Sequence, residues 1–338
     1  MLNRNRFISV VLVIITGVFA TAFPGGGQWF GNIDNTTNFS SGKLTFGYVA
    51  AVQDPFMVII QNGAMDKAKE LGNIEIISQI PGVWNVDVQS SMWKAMAARK
   101  VDLVFGCPVD KIALIPVLRD VFERGVPVIT TDTYIGDGDY TSGPDHFPLA
   151  AIQTDNIAAG EQAGHTLAKL LNGRGKVYLQ EFHVGVSTSD ERASGFISAI
   201  KQYPQMELIA RNSCDDDQDR AQTQTLAVLK AHPDLAGVFG NNLFASLGAA
   251  TAIKNANLSG AVKMVGFDAP PEIIGMIKKG WIDAAVAQQP YKIGQTAVEW
   301  GVKYLREGIM PPKSIDIGSV LFTKENVDDP EMEKYIYQ

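Results

Sequence analysis

Hydrogen-bonding side chains follow several short apolar runs of this chain, at the point where each run ends. The five residues concerned are Asp54, Asp132, Asn242, Asp268 and Gln288. In an open parallel sheet, ligands bind in the crevice beyond the carboxyl ends of the strands. Carboxylates and carboxamides at that edge exchange hydrogen bonds with the polar groups of a ligand. The pattern therefore predicts one binding site built from distant parts of the chain.

An aspartate after a strand also has a structural interpretation, as the N-cap of the next helix. Pro55 suits the first position of a helix, so Asp54 is a cap candidate as well as a binding candidate. At Asp155 capping is the favoured interpretation. Capping does not require the Ala-Pro-Pro run after Asp268 or the Gln-Pro pair after Gln288. Agreement between the strand ends favours a binding site over a set of separate caps.

Two aromatic residues are candidates for the apolar part of this site. Phe56 falls in the first turn of the helix beside Asp54, where it either belongs to the core or stacks on a ligand. Trp84 lies in a predicted loop, and a tryptophan in a loop is typical of the rim of a binding site. We therefore expect an aromatic surface beside the hydrogen-bonding groups.

The sequence lacks the common signatures of catalysis. It contains no G-x-S-x-G elbow, no Walker loop, no H-E-x-x-H motif and no G-x-G-x-x-G after the first strand. Asp215, Asp217 and Asp219 are spaced like the start of a calcium loop. Arg220 and Leu226 then occupy the positions that need a glycine and a bidentate glutamate. We expect a binding protein that is not an enzyme and uses no cofactor and no metal ion.

Short strand-like runs alternate with helix-like segments from Leu44 onwards. Apolar or small residues recur at helical spacing between Phe56 and Leu71, and Gly72 closes that helix. A second series of the same kind starts near Asp155. We therefore expect an α/β fold with two doubly wound parallel-sheet lobes, joined by a multi-strand hinge. The expected lobes are residues 43–154 with 289–315, and residues 155–288 with 316–338.

The N-terminal residues 1–22 are typical of a secretory signal peptide. Arg4 and Arg6 precede an uncharged, apolar-rich segment that ends in an Ala-Thr-Ala cleavage site. An uncleaved membrane anchor is the alternative. Residues 23–42, rich in Gly, Asn, Thr and Ser, are predicted to be a flexible lead-in. We expect export to a bacterial periplasm. There Cys107 and Cys214 are expected to remain free thiols, and a disulfide bridge between them is the alternative. The formal charge of −7 argues against nucleic acid or an anionic membrane as a partner.

An ordered set of motifs between residues 44 and 310 resembles the type I periplasmic sugar-binding proteins of the ribose and galactose kind. Asp54-Pro55-Phe56 is similar to the N-P-F motif of that family, and the run ending at Asp132 is similar to its I-P-V-I-T strand end. Further similar segments are Thr154-Asp155-Asn156, Glu191 to Phe196, Ala231 to Asp234, Gly240 to Asn242, Val265 to Asp268 and Ala287 to Pro290.

The resemblance implies a monomeric, hinged receptor that closes on a small carbohydrate and delivers it to a membrane ABC permease. It implies that the ligand contacts include the five strand-end residues and Phe56. Departures from the ribose-type pattern concern Thr133 and Asp190, which stand where those receptors have arginines, while Arg192 is retained. Met57 replaces a second stacking aromatic, and Leu243 replaces an acid. We expect Met57, Trp84, Thr133, Asp190 and Arg192 to face the ligand as well.

These departures predict a ligand other than ribose. A neutral pentose, hexose or polyol is favoured. An amino sugar is the second possibility, because several carboxylates close together repel one another and a ligand ammonium group would relieve that repulsion. Two other functions stay open at this point. One is a periplasmic sensor that partners a chemoreceptor or a sensor kinase, and the other is an exported glycoside hydrolase with paired acids.

Overall fold

The computed structural model describes residues 42–337 of the chain. The predicted signal peptide and nearly all of the predicted lead-in lie outside the described residues. Strands and helices alternate along the described chain and form two α/β lobes, as the sequence predicts. In chain order the elements are β1 Leu44–Val49, α1 Pro55–Leu71, β2 Ile74–Gln79, α2 Val86–Ala98, β3 Leu103–Gly106, α3 Ile115–Glu123, β4 Val128–Thr131, β5 Ala150–Thr154, α4 Asn156–Leu170, β6 Arg174–Glu181, α5 Ser187–Ile200, β7 Gln205–Ser213, α6 Gln218–Ala231, β8 Leu235–Gly240, α7 Leu243–Asn255, β9 Lys263–Phe267, α8 Pro271–Lys278, β10 Ala284–Ala287, α9 Pro290–Glu307, β11 Ser314–Ile317, β12 Val320–Thr323 and a 3₁₀ helix Pro330–Tyr335.

Each lobe is built on a six-stranded sheet. The strand order is β2-β1-β3-β4-β5-β11 in the first sheet and β7-β6-β8-β9-β10-β12 in the second. The two orders correspond position by position, and the first five strands of each lobe share one topology. In each sheet the order reverses beside the first strand of the lobe, between β1 and β3 and between β6 and β8. Such a switch point opens a crevice at the carboxyl ends of the strands.

The β12 strand departs from the expected all-parallel sheet, because it pairs antiparallel with β10. Only residues 318 and 319 separate it from β11, which belongs to the first sheet. The other strands run towards the face between the lobes, whereas the chain reaches β12 from that face and runs away from it. The first sheet therefore extends to Ile317, two residues beyond the predicted boundary at residue 315.

The chain passes between the sheets after β5, after β10 and after β11. Several connections of this kind provide a hinge for closure of one lobe on the other. Within residues 42–337, no helix is long and apolar enough to cross a membrane. Cys107 and Cys214 are buried and carry free thiols, as the sequence predicts.

Candidate ligand-binding site

A cavity lies between the two lobes at the carboxyl ends of their strands. Residues of both lobes line it, and they comprise four carboxylates, one guanidinium group, two carboxamides and a group of aromatic side chains. They are Asp54, Phe56, Met57, Trp84, Asp132, Phe182, Thr188, Arg192, Asp216, Asn242, Leu243, Phe244, Asp268, Gln288 and Tyr337.

The first lobe contributes one residue that both caps a helix and lines the cavity. Asp54 has an extended backbone before α1, and its Oδ1 accepts a hydrogen bond of 2.8 Å from the amide N–H of Met57. The neighbouring Phe56 is buried, and its ring meets the edge of the Tyr337 ring with centroids 5.9 Å apart. Trp84 is half-buried, and its indole N–H donates to the carbonyl oxygen of Val109 at 3.0 Å. These contacts hold the polar and aromatic groups in fixed positions.

Asp132 follows β4 in a left-handed backbone conformation, with φ of 63°. Its Oδ2 accepts a hydrogen bond from the Cys107 thiol at 3.4 Å. The other oxygen, Oδ1, is buried and has no hydrogen-bond partner among the described residues. A buried carboxylate oxygen without a partner is costly unless a ligand supplies the hydrogen bond. Asp132 is therefore oriented to accept a hydrogen bond from a bound molecule.

The second lobe contributes one buried cation. Arg192 is 3% exposed, and its Nε donates to Asn156 Oδ1 at 2.8 Å while Nη1 donates to the carbonyl oxygen of Asn241 at 3.0 Å. Its guanidinium carbon lies 3.9 Å above the centre of the Phe267 ring. Arg192 also lines the cavity, so guanidinium N–H groups beyond these two hydrogen bonds can serve a ligand.

The strand ends of the second sheet hold one another through side-chain hydrogen bonds. Asn242 caps α7 by accepting from the Ala245 amide at 2.9 Å, and its Nδ2 donates to Asp216 Oδ1 at 2.7 Å. Gln288 donates from Nε2 to Asp268 Oδ1 at 2.8 Å. The other end of the same carboxamide accepts from the Thr154 hydroxyl at 2.9 Å. The network fixes which edge of each amide faces the ligand space.

The carboxylates of the cavity have raised pKa values. Burial raises the pKa of Asp54 from 3.8 to about 7 against the opposing hydrogen bond from Met57, and repulsion from Asp216 adds to the rise. Burial also raises the pKa of Asp132 to about 6, although Arg192 opposes the rise. The pKa values of Asp216 and Asp268 are raised by burial as well. Within the described residues, no group of three acidic, histidine or cysteine side chains is arranged to hold a metal ion.

Comparison with known proteins shows the family to which this chain belongs. A family model described as a periplasmic binding protein domain matches residues 47–308. The chain belongs to the periplasmic binding protein family. The ribose import binding protein of Bacillus subtilis is 28% identical over 297 residues, which cover 87% of this chain and 92% of that protein. The D-allose-binding periplasmic protein of Escherichia coli is 26% identical over 287 residues, covering 85% of this chain and 92% of that protein.

A solved structure is also similar to this periplasmic binding protein. It is an ABC transporter solute-binding protein from Agrobacterium vitis, bound with α-D-tagatopyranose. Sequence identity is 36% and the TM-score is 0.85, with coverage of 88% of this chain and 100% of that chain. The relatives named here are binding proteins, and the names of the B. subtilis and A. vitis proteins refer to import and to an ABC transporter. They give no support to the alternative of a sensor or to that of a hydrolase.

Nine of the candidate residues predicted from the sequence line the cavity of this binding protein, and Thr133 and Asp190 do not. The left-handed turn at Asp132 directs the Thr133 side chain to the other side, where its hydroxyl donates to the Pro108 carbonyl oxygen at 2.6 Å. Asp190 lies outside the cavity and pairs with Lys111 of the first lobe at 3.1 Å. Neither residue lines this cavity, and their contact with a ligand stays a prediction of the sequence.

The cavity of this binding protein also contains residues that sequence reasoning missed. Phe182 directly follows β6, so the rule applied to the other strand ends would have found it. Asp216 lies in the acidic loop of residues 215–219, where calcium-like spacing gives no sign of a contact with the cavity. Tyr337 comes from a segment beyond the last strand, where no periodicity or motif marks a contact with the cavity. The first turns of two helices supply the other lining residues, Thr188 in α5 and Leu243 and Phe244 in α7.

Proposed function

We propose that this protein captures a small carbohydrate between its two lobes and delivers it to a membrane ABC permease. The observation that carries the proposal is the cavity at the facing strand ends, where both lobes supply hydrogen-bonding groups and aromatic surface. Carboxylates and carboxamides satisfy the hydroxyl groups of a sugar, while aromatic rings cover its apolar C–H face. Family membership and the named relatives support the same function.

The proposed site residues are the nine that the sequence predicts and that also line the cavity. Asp132 and Arg192 offer an unpaired acceptor and guanidinium N–H donors from opposite lobes. Asn242, Asp268 and Gln288 bind hydroxyl groups from the second lobe. Asp54, Phe56, Met57 and Trp84 close the site from the first lobe. A ligand held in this way contacts both lobes and stabilises the closed arrangement.

A neutral monosaccharide is the first ligand class we propose. The 36% identical protein from Agrobacterium vitis is described with bound α-D-tagatopyranose, which makes a ketohexose a direct candidate. The surplus of acidic groups supports an amino sugar as the second class, since four carboxyl groups line the cavity with only Arg192 as a buried cation among its lining residues. An ammonium group on the ligand would favour the ionised carboxylates.

Export and non-catalytic action belong to the same proposal. The family description and the E. coli relative name periplasmic proteins, and residues 1–22 have the pattern of a secretory signal peptide. The relatives are binding proteins, which supports release of the ligand unchanged. We propose that the protein acts as a monomer and that closure creates the surface recognised by the permease.

A thermal-shift panel tests the proposal. Purified protein is melted alone and with D-tagatose, D-allose, D-ribose, myo-inositol and D-glucosamine. A ligand at one hundred times its Kd stabilises the folded state by about 2.7 kcal/mol, which raises Tm by about 4 °C for a protein of this size. We expect at least one neutral sugar to do so. No shift with any monosaccharide, polyol or amino sugar would contradict the carbohydrate assignment.

A further inference from the structure

The last described segment of the chain returns to the ligand cavity after β12. The 3₁₀ helix Pro330–Tyr335 begins at Asp329, whose carboxylate accepts from the Glu331 amide at 2.9 Å. Two residues beyond this helix, the Tyr337 amide N–H donates to the carbonyl oxygen of Ala269 at 3.0 Å. That bond anchors the segment beside Asp268, at the end of β9.

The Tyr337 hydroxyl group is bound on two sides by residues of the cavity. It accepts a hydrogen bond of 2.9 Å from the Gln288 amide N–H and donates to Asp268 Oδ1 at 3.2 Å. Tyr337 is 4% exposed, so both bonds are shielded from water. One hydroxyl group therefore joins the ends of β9 and β10, from which two of the proposed ligand contacts project.

Asp268 has a particular need for such support. Its φ is 70°, a left-handed conformation that costs a residue with a Cβ some free energy and persists only where the surroundings hold it. Its backbone N–H donates to the Val286 carbonyl oxygen at 2.8 Å. Its carboxylate is fixed by Gln288 and Tyr337. The tyrosine thus completes the set of contacts around a strained and buried acid.

The ring of Tyr337 also reaches the first lobe. It meets the Phe56 ring at an angle of 64°, in an edge-to-face contact. Phe56 lies in the first turn of α1, whereas Asp268 and Gln288 directly follow strands of the second sheet. Tyr337 therefore contacts both sides of the cavity, and its ring takes part in the aromatic surface there.

We propose that Tyr337 is a positioning residue of this binding site, whose hydroxyl group orients Asp268 and Gln288 for the ligand while its ring closes the cavity against Phe56. The inference rests on the proposed function, and it names a determinant of affinity in a segment outside the alternating strands and helices. Removal of the hydroxyl group leaves the Gln288 N–H without its buried partner and frees the Asp268 carboxylate to rotate.

The Tyr337→Phe variant tests the proposal, because it keeps the ring and removes only the hydroxyl group. Wild type and variant are titrated by calorimetry with D-tagatose, D-allose, D-ribose and D-glucosamine. Loss of one buried hydrogen bond to a charged group corresponds to an increase in Kd of about tenfold. The matched control is Tyr335→Phe in the same segment, where the half-buried ring lies against the Lys334 ammonium group. Its Kd should change by less than about twofold.

Two further measurements separate positioning from a loss of folding. Ligand-induced stabilisation is measured for each variant from its own ligand-free Tm, so that a less stable variant is still comparable. In an Asp268→Asn background, the Tyr337→Phe change should raise Kd by no more than about twofold, because the two residues act together. Equal affinity of wild type and Tyr337→Phe would overturn the inference alone. No binding by the wild type would overturn the proposed function as well.

Discussion

Asp54 and Asn242 each use one side chain both to cap a helix and to line the cavity. Asp54 Oδ1 bonds the Met57 amide, and Asn242 Oδ1 bonds the Ala245 amide. A helix N-terminus carries partial positive charge, which favours an acceptor at that place. The cap fixes the side chain at the strand end, and its second oxygen or its amide group is left for other partners. Capping and ligand binding are therefore compatible functions of the same residue.

The raised pKa of Asp54 predicts that its contribution to stability falls as pH rises. A salt-bridged acid, whose pKa is lowered on folding, has the opposite pH dependence. Because the folded pKa of about 7 exceeds the ordinary 3.8, the folded protein keeps the proton longer than the unfolded chain. The contribution of Asp54 to stability is therefore present below about pH 4 and is lost as pH rises towards 7. We expect Asp54→Asn, which retains a good N-cap, to stabilise the ligand-free protein by about 1–2 kcal/mol at pH 8 and to have little effect at pH 4.

Urea unfolding of the ligand-free protein between pH 4 and pH 8 measures this difference. Asp219→Asn, on the exposed first turn of α6, is the control and should gain no stability relative to the wild type as pH rises, because a helix N-terminus favours a carboxylate. A stability difference between wild type and Asp54→Asn that does not grow with pH would show that the carboxyl group is not desolvated as described.

The site residues that the sequence could predict are those fixed by a strand end. Asp132 and Asp268 directly follow a buried strand, so the direction of the chain places them at the cleft. Thr133 could not be placed, because the side to which it points depends on the left-handed turn at Asp132. Tyr337 could not be found, because its position depends on tertiary contacts of a segment without periodicity.

The close crossing of helices α4 and α5 positions Arg192. Helices α4 and α5 approach each other through glycines, and a Cβ at Gly160 would lie 2.2 Å from the carbonyl oxygen of Arg192. On α5, a Cβ at Gly195 would likewise lie 2.1 Å from the carbonyl oxygen of Ile157 in α4. Only glycine permits this approach of the two backbones. The crossing therefore sets how far Arg192 reaches into the cavity.

Gly160→Ala should disturb both stability and binding. The new methyl group forces the α5 backbone away, and overpacking of this kind costs about 1–3 kcal/mol. Since Arg192 moves with α5, we expect a weaker Kd for the sugar as well. The control is Gly275→Ala in α8, where a Cβ meets open space and the change should be neutral or stabilising. Urea unfolding and calorimetry measure both effects, and a Gly160→Ala protein as stable and as tight as the wild type would refute the account.

Periodicity predicts the long elements well and some short strands poorly. Helix α1 has a cap, a proline at its first position and a closing glycine, and these signals agree with its apolar spacing. The β5 strand, Ala-Ala-Ile-Gln-Thr, has neither a β-branched run nor a long apolar run, so no local pattern predicts it. The direction of β12 depends on the path of the chain between the lobes, which local sequence does not determine.

Contacts between the lobes outside the cavity stabilise the closed arrangement of the whole molecule. Lys111 of the first lobe pairs with Asp190 of the second at 3.1 Å. The Tyr134 hydroxyl donates to Glu191 Oε1 at 2.8 Å. Trp84, which itself lines the cavity, also stacks on His183 of the second lobe with ring centroids 6.1 Å apart. Contacts that exist only in the closed state increase the apparent affinity for a ligand that binds this state.

Tyr134→Phe should therefore weaken sugar binding although Tyr134 does not line the cavity. Removal of one partly buried hydrogen bond costs the closed state about 1 kcal/mol, so we expect Kd to rise by about threefold to tenfold and dissociation to become faster. The control is Tyr203→Phe, whose hydroxyl contacts His165 within the second lobe at 3.0 Å. Stopped-flow dissociation measures the effect. Equal dissociation rates for Tyr134→Phe and wild type would contradict a role in closure.

A crystal structure of the protein with the best-binding sugar of the thermal-shift panel tests the central claim most directly. The account predicts one monosaccharide enclosed between the lobes, with hydroxyl groups bonded to Asp132 from the first lobe and to Arg192 and Asn242 from the second. It also predicts an aromatic ring against the apolar face of the sugar. A sugar bound outside this cavity, or one that contacts a single lobe only, would contradict the account.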